Sequence, residues 1–227
     1  MTTFTVVVTA GLAAAVLWLL VRLLREQRAR GAARAAYLDR ASGLFGSVTI
    51  RTQPSGFARM AGVWQGARFD LQAVPDTLTF RKLPVLWVMV TLTEPMPLDS
   101  AVHIMARPGQ SDIFSNFDQM PVSVALPDGF PEFCALRCGD AAALPDPCLI
   151  AGQATLFAVA HVKELVMSPK GLRLVILADE AERGAYLLFR DAEMGQQPLE
   201  PDRLLPLLQA LLALRDELQA ARERTDG

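Results

Sequence analysis

The side chains with the most obvious chemical potential in this chain are three cysteines and two histidines. Cys134 and Cys138 are separated by three residues, and a further nine residues separate Cys138 from Cys148, while His103 and His161 lie on either side of this group. A zinc site tolerates the first spacing, and a Cys–His pair can act as nucleophile and base. Spacing along the chain does not establish proximity, so we predict no metal site and no cofactor and interpret the thiols as reduced, partly buried small side chains. These five residues are the candidates for catalysis if the chain is an enzyme.

Acidic side chains form two further clusters. Asp112 and Asp118 enclose a short apolar segment, and Asp179, Glu180 and Glu182 follow a predicted strand. Acids in turns usually cap backbone N–H groups, and neither cluster has the alternating oxygen ligands of a calcium loop. Glycine-rich phosphate loops, zinc-protease helices and nucleophile elbows are absent from the sequence. The local motifs therefore identify no activity.

Net charge excludes one broad class of partner. With 22 basic and 24 acidic residues, the chain carries a formal net charge of −2. Proteins that bind nucleic acid through its phosphates need a basic excess, so we predict no nucleic-acid partner. The hydrophobic content of 52% predicts a folded domain in addition to any membrane segment.

The first 24 residues are predicted to form a transmembrane anchor. Phe4–Val21 carries no charged residue, and Thr2–Leu24 spans roughly 34 Å as a helix, enough for a hydrocarbon core of about 30 Å. A cleaved signal peptide has its positive charge before the apolar segment, whereas here the charge follows it. We therefore expect one retained spanning helix.

Arginines after the apolar segment predict its orientation. Residues 22–40 contain six arginines against two acids, and such clusters stay on the cytoplasmic side of a bilayer. We predict a single-pass protein of the inner (plasma) membrane of a bacterium, with its N-terminus outside and its main domain in the cytoplasm. The odd number of three cysteines suits that reducing compartment. A basic juxtamembrane helix over residues 25–42 is expected to continue through Gly31, and the arginines expected at the membrane surface are Arg22, Arg25, Arg28, Arg30 and Arg34.

The predicted anchor makes the lipid bilayer the first partner of this chain. Ala10 and Ala14, like Gly11 and Ala15, have the spacing of small residues that allows two helices to approach closely. A homodimer through this helix is therefore one expectation. A membrane or cytoplasmic protein partner is another.

Residues 43–224 are predicted to form a cytoplasmic α+β domain with a mixed, largely antiparallel sheet. The Val-, Thr- and aromatic-rich segments favour strands, and Pro84–Thr93 is apolar enough for a central strand buried on both faces. Gly62 and Gly66 suit turns or bulges between strands. The predicted strands of this half are Phe45–Arg51, Ala67–Ala73, Thr77–Phe80, Pro84–Thr93 and Val102–Ala106.

Residues 107–148 are rich in Pro and Gly and are predicted to be irregular, so they divide the domain into possible lobes at 43–106 and 149–224. In the second lobe we predict a helix over Ala151–Glu164, a hairpin of Leu165–Ser168 with Leu172–Ala178, and a third strand over Ala185–Arg190. A long amphipathic helix over Asp202–Arg224 has a leucine stripe that the sheet must cover.

An acidic, motif-free domain on a membrane anchor favours a non-enzymatic binding or scaffolding module. Two alternatives remain open. One is a membrane-tethered hydrolase or thiol enzyme that uses a cysteine with a histidine, and the other is a lipid-binding domain with a groove between the sheet and the leucine-rich helix.

Overall fold

The computed structural model describes residues 2–77, 83–109, 112–158, 161–184, 186 and 193–226. Two predicted strands, Thr77–Phe80 and Ala185–Arg190, lie outside these ranges apart from Thr77 and Tyr186, neither of which is in a strand.

The described part contains five α-helices and nine strands. The helices are α1 (Thr2–Ala35), α2 (Asp39–Ser42), α3 (Pro147–Gly152), α4 (Ala154–Ala158) and α5 (Pro201–Asp226). The strands are β1 (Gly46–Thr52), β2 (Ala58–Trp64), β3 (Ala67–Asp76), β4 (Val85–Leu92), β5 (Val102–Ala106), β6 (Val122–Val124), β7 (Cys134–Cys138), β8 (Val162–Ser168) and β9 (Gly171–Glu180).

All nine strands belong to one antiparallel sheet, in the order β1-β2-β3-β4-β9-β8-β5-β7-β6. The predicted α+β class is therefore confirmed. The β8–β9 hairpin is also confirmed, and its turn residues bring Ser168 opposite Gly171. β4 lies inside the sheet between β3 and β9, as predicted, but Trp87 and Thr91 on one of its faces are only partly buried.

The sheet has two unlike faces because successive side chains of a strand point to opposite sides. We call the first the helix face, since α5 crosses it over β4 and β9. Five leucines of the predicted stripe are at most 3% exposed there, and each stabilises the fold by about 1.5–3 kcal/mol. These residues are Leu204, Leu208, Leu211, Leu214 and Leu218. We call the second face the open face, because the segment 112–120 covers only part of it.

α1 leaves the domain as a single continuous helix that runs through Gly31, as predicted, but it ends at Ala35 and not at residue 42, because a turn separates it from α2. It is the one described helix that is long and apolar enough to cross a membrane, by length and composition, and none of its most apolar window is buried in the domain. The residues that follow it enter the core. Tyr37 is 2% exposed, its ring lies 5.8 Å from that of Phe57, and its carbonyl accepts a hydrogen bond of 2.8 Å from the Leu199 N–H.

β2 was not predicted from the sequence, and the role predicted for Gly62 is wrong. Gly62 lies within β2 and is not in a turn. A Cβ at this position would come within 2.8 Å of the Phe45 Cβ, so glycine is required by the close approach of that ring. Gly66 does lie in the β2–β3 turn, with a φ of +81° that favours glycine.

The prediction of an irregular 107–148 segment is wrong in part, because it contains β6 and β7. Both strands are short, so the surrounding prolines and glycines outweighed their alternation in the sequence. The single helix predicted over Ala151–Glu164 is also wrong. α3 begins where the Asp146 carboxylate accepts a hydrogen bond from the Cys148 N–H, α4 is a separate short helix, and β8 already starts at Val162.

Candidate functional site

Two neighbouring cross-strand rows on the open face bring together residues that are distant in sequence. In an antiparallel sheet, directly opposite residues share a face, and diagonal neighbours are within reach of long side chains. Glu164 is therefore a diagonal neighbour of both His103 and Arg173, which flank Val166 on either side. The first row runs Asp70, Thr91, Arg173, Val166, His103 and Arg137, and the second runs Met89, Val175, Glu164 and Met105.

Glu164 is a carboxylate inside an apolar cluster. It is 0% exposed, and its row neighbours on the sheet are valine and methionine. The rings of Phe114 and Phe117 complete a second small core over this part of the open face. A buried carboxylate is costly unless it is paired and hydrogen-bonded. The burial of this carboxylate among apolar side chains therefore makes Glu164 a candidate site residue.

Two donors satisfy one oxygen of the Glu164 carboxylate. His103 Nδ1 lies 2.8 Å from Glu164 Oε1, and the Ser115 hydroxyl donates to the same oxygen. Ser115 Oγ in turn accepts a hydrogen bond of 3.0 Å from the Phe117 N–H. The second oxygen, Oε2, is buried and has no hydrogen-bond partner within the described part of the chain.

The pairing with Glu164 fixes the orientation of the His103 ring. When Nδ1 carries the proton that it shares with the carboxylate, Nε2 is left as an acceptor, and no described residue is bonded to it. His103 lines a cavity, where its ring can meet a ligand or a water molecule. Such a carboxylate–histidine pair can serve as a general base or as a binding group.

The cavity has a volume of about 350 Å³ and is bounded by strands of the open face and by the 114–116 segment. Lys170 and Arg173 are basic residues that line this cavity. Arg173 Nε donates a hydrogen bond of 3.1 Å to Thr91 Oγ1, which steadies the guanidinium. Neither cation forms an ion pair with an acid among the residues described.

Lys163 fixes the segment that covers this cavity. Its Nζ donates to the carbonyl oxygens of Ala106 and Arg107, at 3.0 and 2.7 Å, and lies 3.1 Å from Asp112 Oδ2. Arg107 has a φ of +44°, an uncommon conformation for a residue with a side chain, and its guanidinium lies 4.1 Å from the centre of the Phe133 ring. The start of the segment that presents Ser115 is therefore held at several points.

Of the five residues predicted as catalytic candidates, the structure places only His103 in this site. Cys134 and Cys138 lie on β7 with side chains toward the helix face, because Cys138 is opposite Val102 whereas His103 is opposite Arg137. Burial raises the pKa of both thiols above the usual value for cysteine, which makes them less reactive. Cys148 is exposed on α3, and His161 is exposed before β8. No group of three metal-ligating side chains is found in the described ranges.

The arginines predicted at the membrane surface have different surroundings. Arg22 pairs with Glu26 at 2.9 Å on the exposed part of α1. Arg30 pairs with Glu193, and the Arg34 guanidinium lies 5.5 Å from the centre of the Phe57 ring. The last turns of α1 are thus attached to the domain.

Sequence reasoning missed Glu164, Ser115 and Arg173 as site residues. Glu164 was assigned to the end of a helix, where an acid is unremarkable. Its signal is a charged residue next to the apolar segment Leu165–Met167. That signal becomes meaningful only when the segment is known to be a strand and the open face of its sheet is known to be partly covered.

No family model matches this chain, and no curated protein matches its sequence.

Proposed function

We propose that this chain is a single-pass membrane protein whose α+β domain is a non-enzymatic binding module on the cytoplasmic side, and that it binds through the open-face cavity. The observation that carries the binding proposal is the buried Glu164, which has an unsatisfied carboxylate oxygen, orients His103 and lines a cavity together with that histidine and two cations. Binding sites typically combine apolar walls with a few placed polar groups.

The anchor is supported by the length and exposure of α1. Its 34 residues exceed what a bilayer core of about 30 Å requires, and the apolar side chains are not used by the domain. The arginines that follow the apolar part favour a cytoplasmic domain of an inner-membrane protein with its N-terminus outside. Because Tyr37 and Leu38 are buried at the base of the helix, the domain would be held close to the membrane.

A binding role is favoured over nucleophilic catalysis by the bonding pattern around His103. The Ser115 hydroxyl donates to Glu164 and not to the histidine, and the two strand cysteines point to the opposite face of the sheet. A nucleophile and its base must lie within hydrogen-bond distance of each other. Among the described hydroxyls and thiols, none is hydrogen-bonded to His103.

A membrane extraction experiment tests the anchor. We expect the full chain to stay with membranes in alkaline carbonate and a variant with Leu12→Arg and Leu17→Arg to be released, because two charges at this depth are costly. Arg25→Lys is the matched control, since it keeps the charge and should stay with the membranes. Release of the unmodified chain would contradict a spanning helix.

Native mass spectrometry of the full chain, purified in a mild detergent, tests the binding role. We expect a small-molecule adduct that is lost in the Arg173→Gln variant and kept in Arg59→Gln, an arginine of the same face that pairs with Asp70 at 2.9 Å outside the cavity. An adduct that persists equally in both variants, or no adduct, would count against the cavity as the binding site.

Hydrolysis is the second candidate, and one observation favours it. The Glu164–His103 pair has the arrangement of a general base that activates water, and both residues line a cavity. In that case His103→Gln should abolish turnover of a hydrolysable substrate. The thiol version and a lipid groove gain no comparable support, because α5 fills its interface with the sheet with its own leucines.

A further inference from the structure

We propose that the open-face cavity binds a small carboxylate that carries an amine or hydroxyl group on a neighbouring carbon, as α-amino and 2-hydroxy acids do. The carboxylate would lie against Arg173 and Lys170, and the amine or hydroxyl would donate to Glu164 Oε2. This ligand class rests on the proposed binding function and adds the chemistry of the bound molecule to it.

The donor requirement comes from Glu164. Its Oε1 already accepts two hydrogen bonds, while Oε2 is buried and lacks a partner in the described part, and Glu164 is among the residues that line the cavity. A buried acceptor without a donor is unfavourable, and a charged one is more so. An ammonium or hydroxyl group of a ligand satisfies it with a charge-assisted hydrogen bond.

The acid requirement comes from the two cations that line the cavity. Arg173 and Lys170 both line it, and neither is neutralised by an acid that the structure describes. Thr91 holds the Arg173 Nε at 3.1 Å and thereby orients the guanidinium. The planar fork of arginine donors matches a carboxylate, which can accept two parallel hydrogen bonds.

The positions of Glu164 and Arg173 in the sheet limit the size of the ligand. His103 and Arg173 belong to strands on either side of β8, so their backbones are about 10 Å apart, and both side chains reach inward from there. Glu164 is diagonal to Arg173 across one strand pair. Glu164 and Arg173 are therefore close enough for one small molecule to contact both, and a cavity of about 350 Å³ leaves room for a short apolar side chain beside Phe114 and Val166.

Charge complementarity disfavours simpler ligands. A phosphate or sulfate near the cations would also approach the Glu164 carboxylate, which repels it. A purely cationic ligand would meet Lys170 and Arg173. A molecule that carries both an acid and a donor is complementary to the two cations and to the Glu164 carboxylate.

An NMR titration of the full chain in detergent tests this ligand class with sets of matched carbon skeleton. One set is alanine, lactate and propionate, and the other is leucine, 2-hydroxyisocaproate and 4-methylpentanoate. We expect the amino or hydroxy member of at least one set to bind at least 10-fold more tightly than the unsubstituted acid, with shifts centred on β5, β8 and β9.

Three variants and one control variant locate the effect. Arg173→Gln and Lys170→Ala should each weaken binding at least 10-fold, while Arg59→Gln should leave it unchanged. Glu164→Gln should remove the preference for the substituted acid. Lys170 is exposed, so its variant is expected to fold even if Glu164→Gln does not.

Equal binding of substituted and unsubstituted acids would overturn the donor assignment, and no binding by either set would overturn the ligand class. In either case, a cavity-dependent adduct of another chemistry in native mass spectrometry would still support the proposed function. Loss of that adduct together with all binding would remove both.

Discussion

The Glu164–His103 pair should limit the stability of the domain, and replacing both members together tests this. Glu164→Leu alone leaves the His103 Nδ1–H, in a ring only 7% exposed, without its acceptor. A buried donor without an acceptor costs about 1–3 kcal/mol, so we expect the free energy of unfolding to fall by that amount at most, since the added leucine recovers some of it.

Replacing both residues, by Glu164→Leu with His103→Leu, removes the His103 donor and also the unsatisfied Oε2, while the Ser115 hydroxyl loses its acceptor equally in the single and the double variant. Exchange of a buried polar pair for apolar side chains is often neutral or stabilising by about 1–4 kcal/mol. We therefore expect the double variant to be at least as stable as the unmodified chain, while ligand binding is lost.

Urea unfolding of the full chain in detergent, followed by tryptophan fluorescence, measures these changes. Trp87 is a suitable reporter because its ring lies 5.0 Å from that of Phe114 over the same part of the open face. A double variant that is less stable than Glu164→Leu alone would refute the reasoning, because the pair would then be stabilising in itself.

Three further predictions concern other parts of the molecule. Gly62→Ala should destabilise the domain by about 1–3 kcal/mol in the same urea assay, because its Cβ would lie 2.8 Å from the Phe45 Cβ; an unchanged midpoint would contradict this packing. Burial raises the pKa of Tyr37 to about 12, so its unfolded state, with a pKa of about 10, loses the proton first. The resulting stabilisation of about 2–3 kcal/mol is present below pH 10 and is lost as the pH rises towards 12, and Tyr37→Phe should flatten this part of the stability–pH curve. Iodoacetamide at neutral pH should modify the exposed Cys148 well before Cys138, as measured by peptide mass spectrometry, and equal rates would contradict the burial of the β7 thiol.

Elements with strong periodicity or clear turn residues could be predicted from the sequence. The leucine stripe of α5 and the β8–β9 hairpin show this, since one has a clear helical period and the other a Pro-Lys-Gly turn. β2 and β7 could not be predicted, because a glycine required by Phe45 interrupts the first and prolines surround the second. The local composition around a glycine does not show that an aromatic ring from another segment, here Phe45, packs against it.

Only one residue of the candidate site, His103, could be predicted from the sequence. His103 was a candidate for its chemistry, but its partner Glu164 is 61 positions away and was assigned to a helix. Their contact depends on the pairing of β5 with β8, which is a property of sheet topology. The one-residue bulge in β8 between Val162 and Glu164 also determines which face the carboxylate occupies, and no local pattern in the sequence indicates it.

Labelling of Cys148 in spheroplasts tests most directly that α1 holds this domain on the cytoplasmic side. Its thiol is exposed, so a membrane-impermeant maleimide should leave it unmodified in intact spheroplasts and modify it after lysis. A Thr3→Cys variant should be modified before lysis, because the N-terminus is expected outside. Modification of Cys148 in intact spheroplasts, with a cytoplasmic marker protein still protected, would contradict the proposed topology.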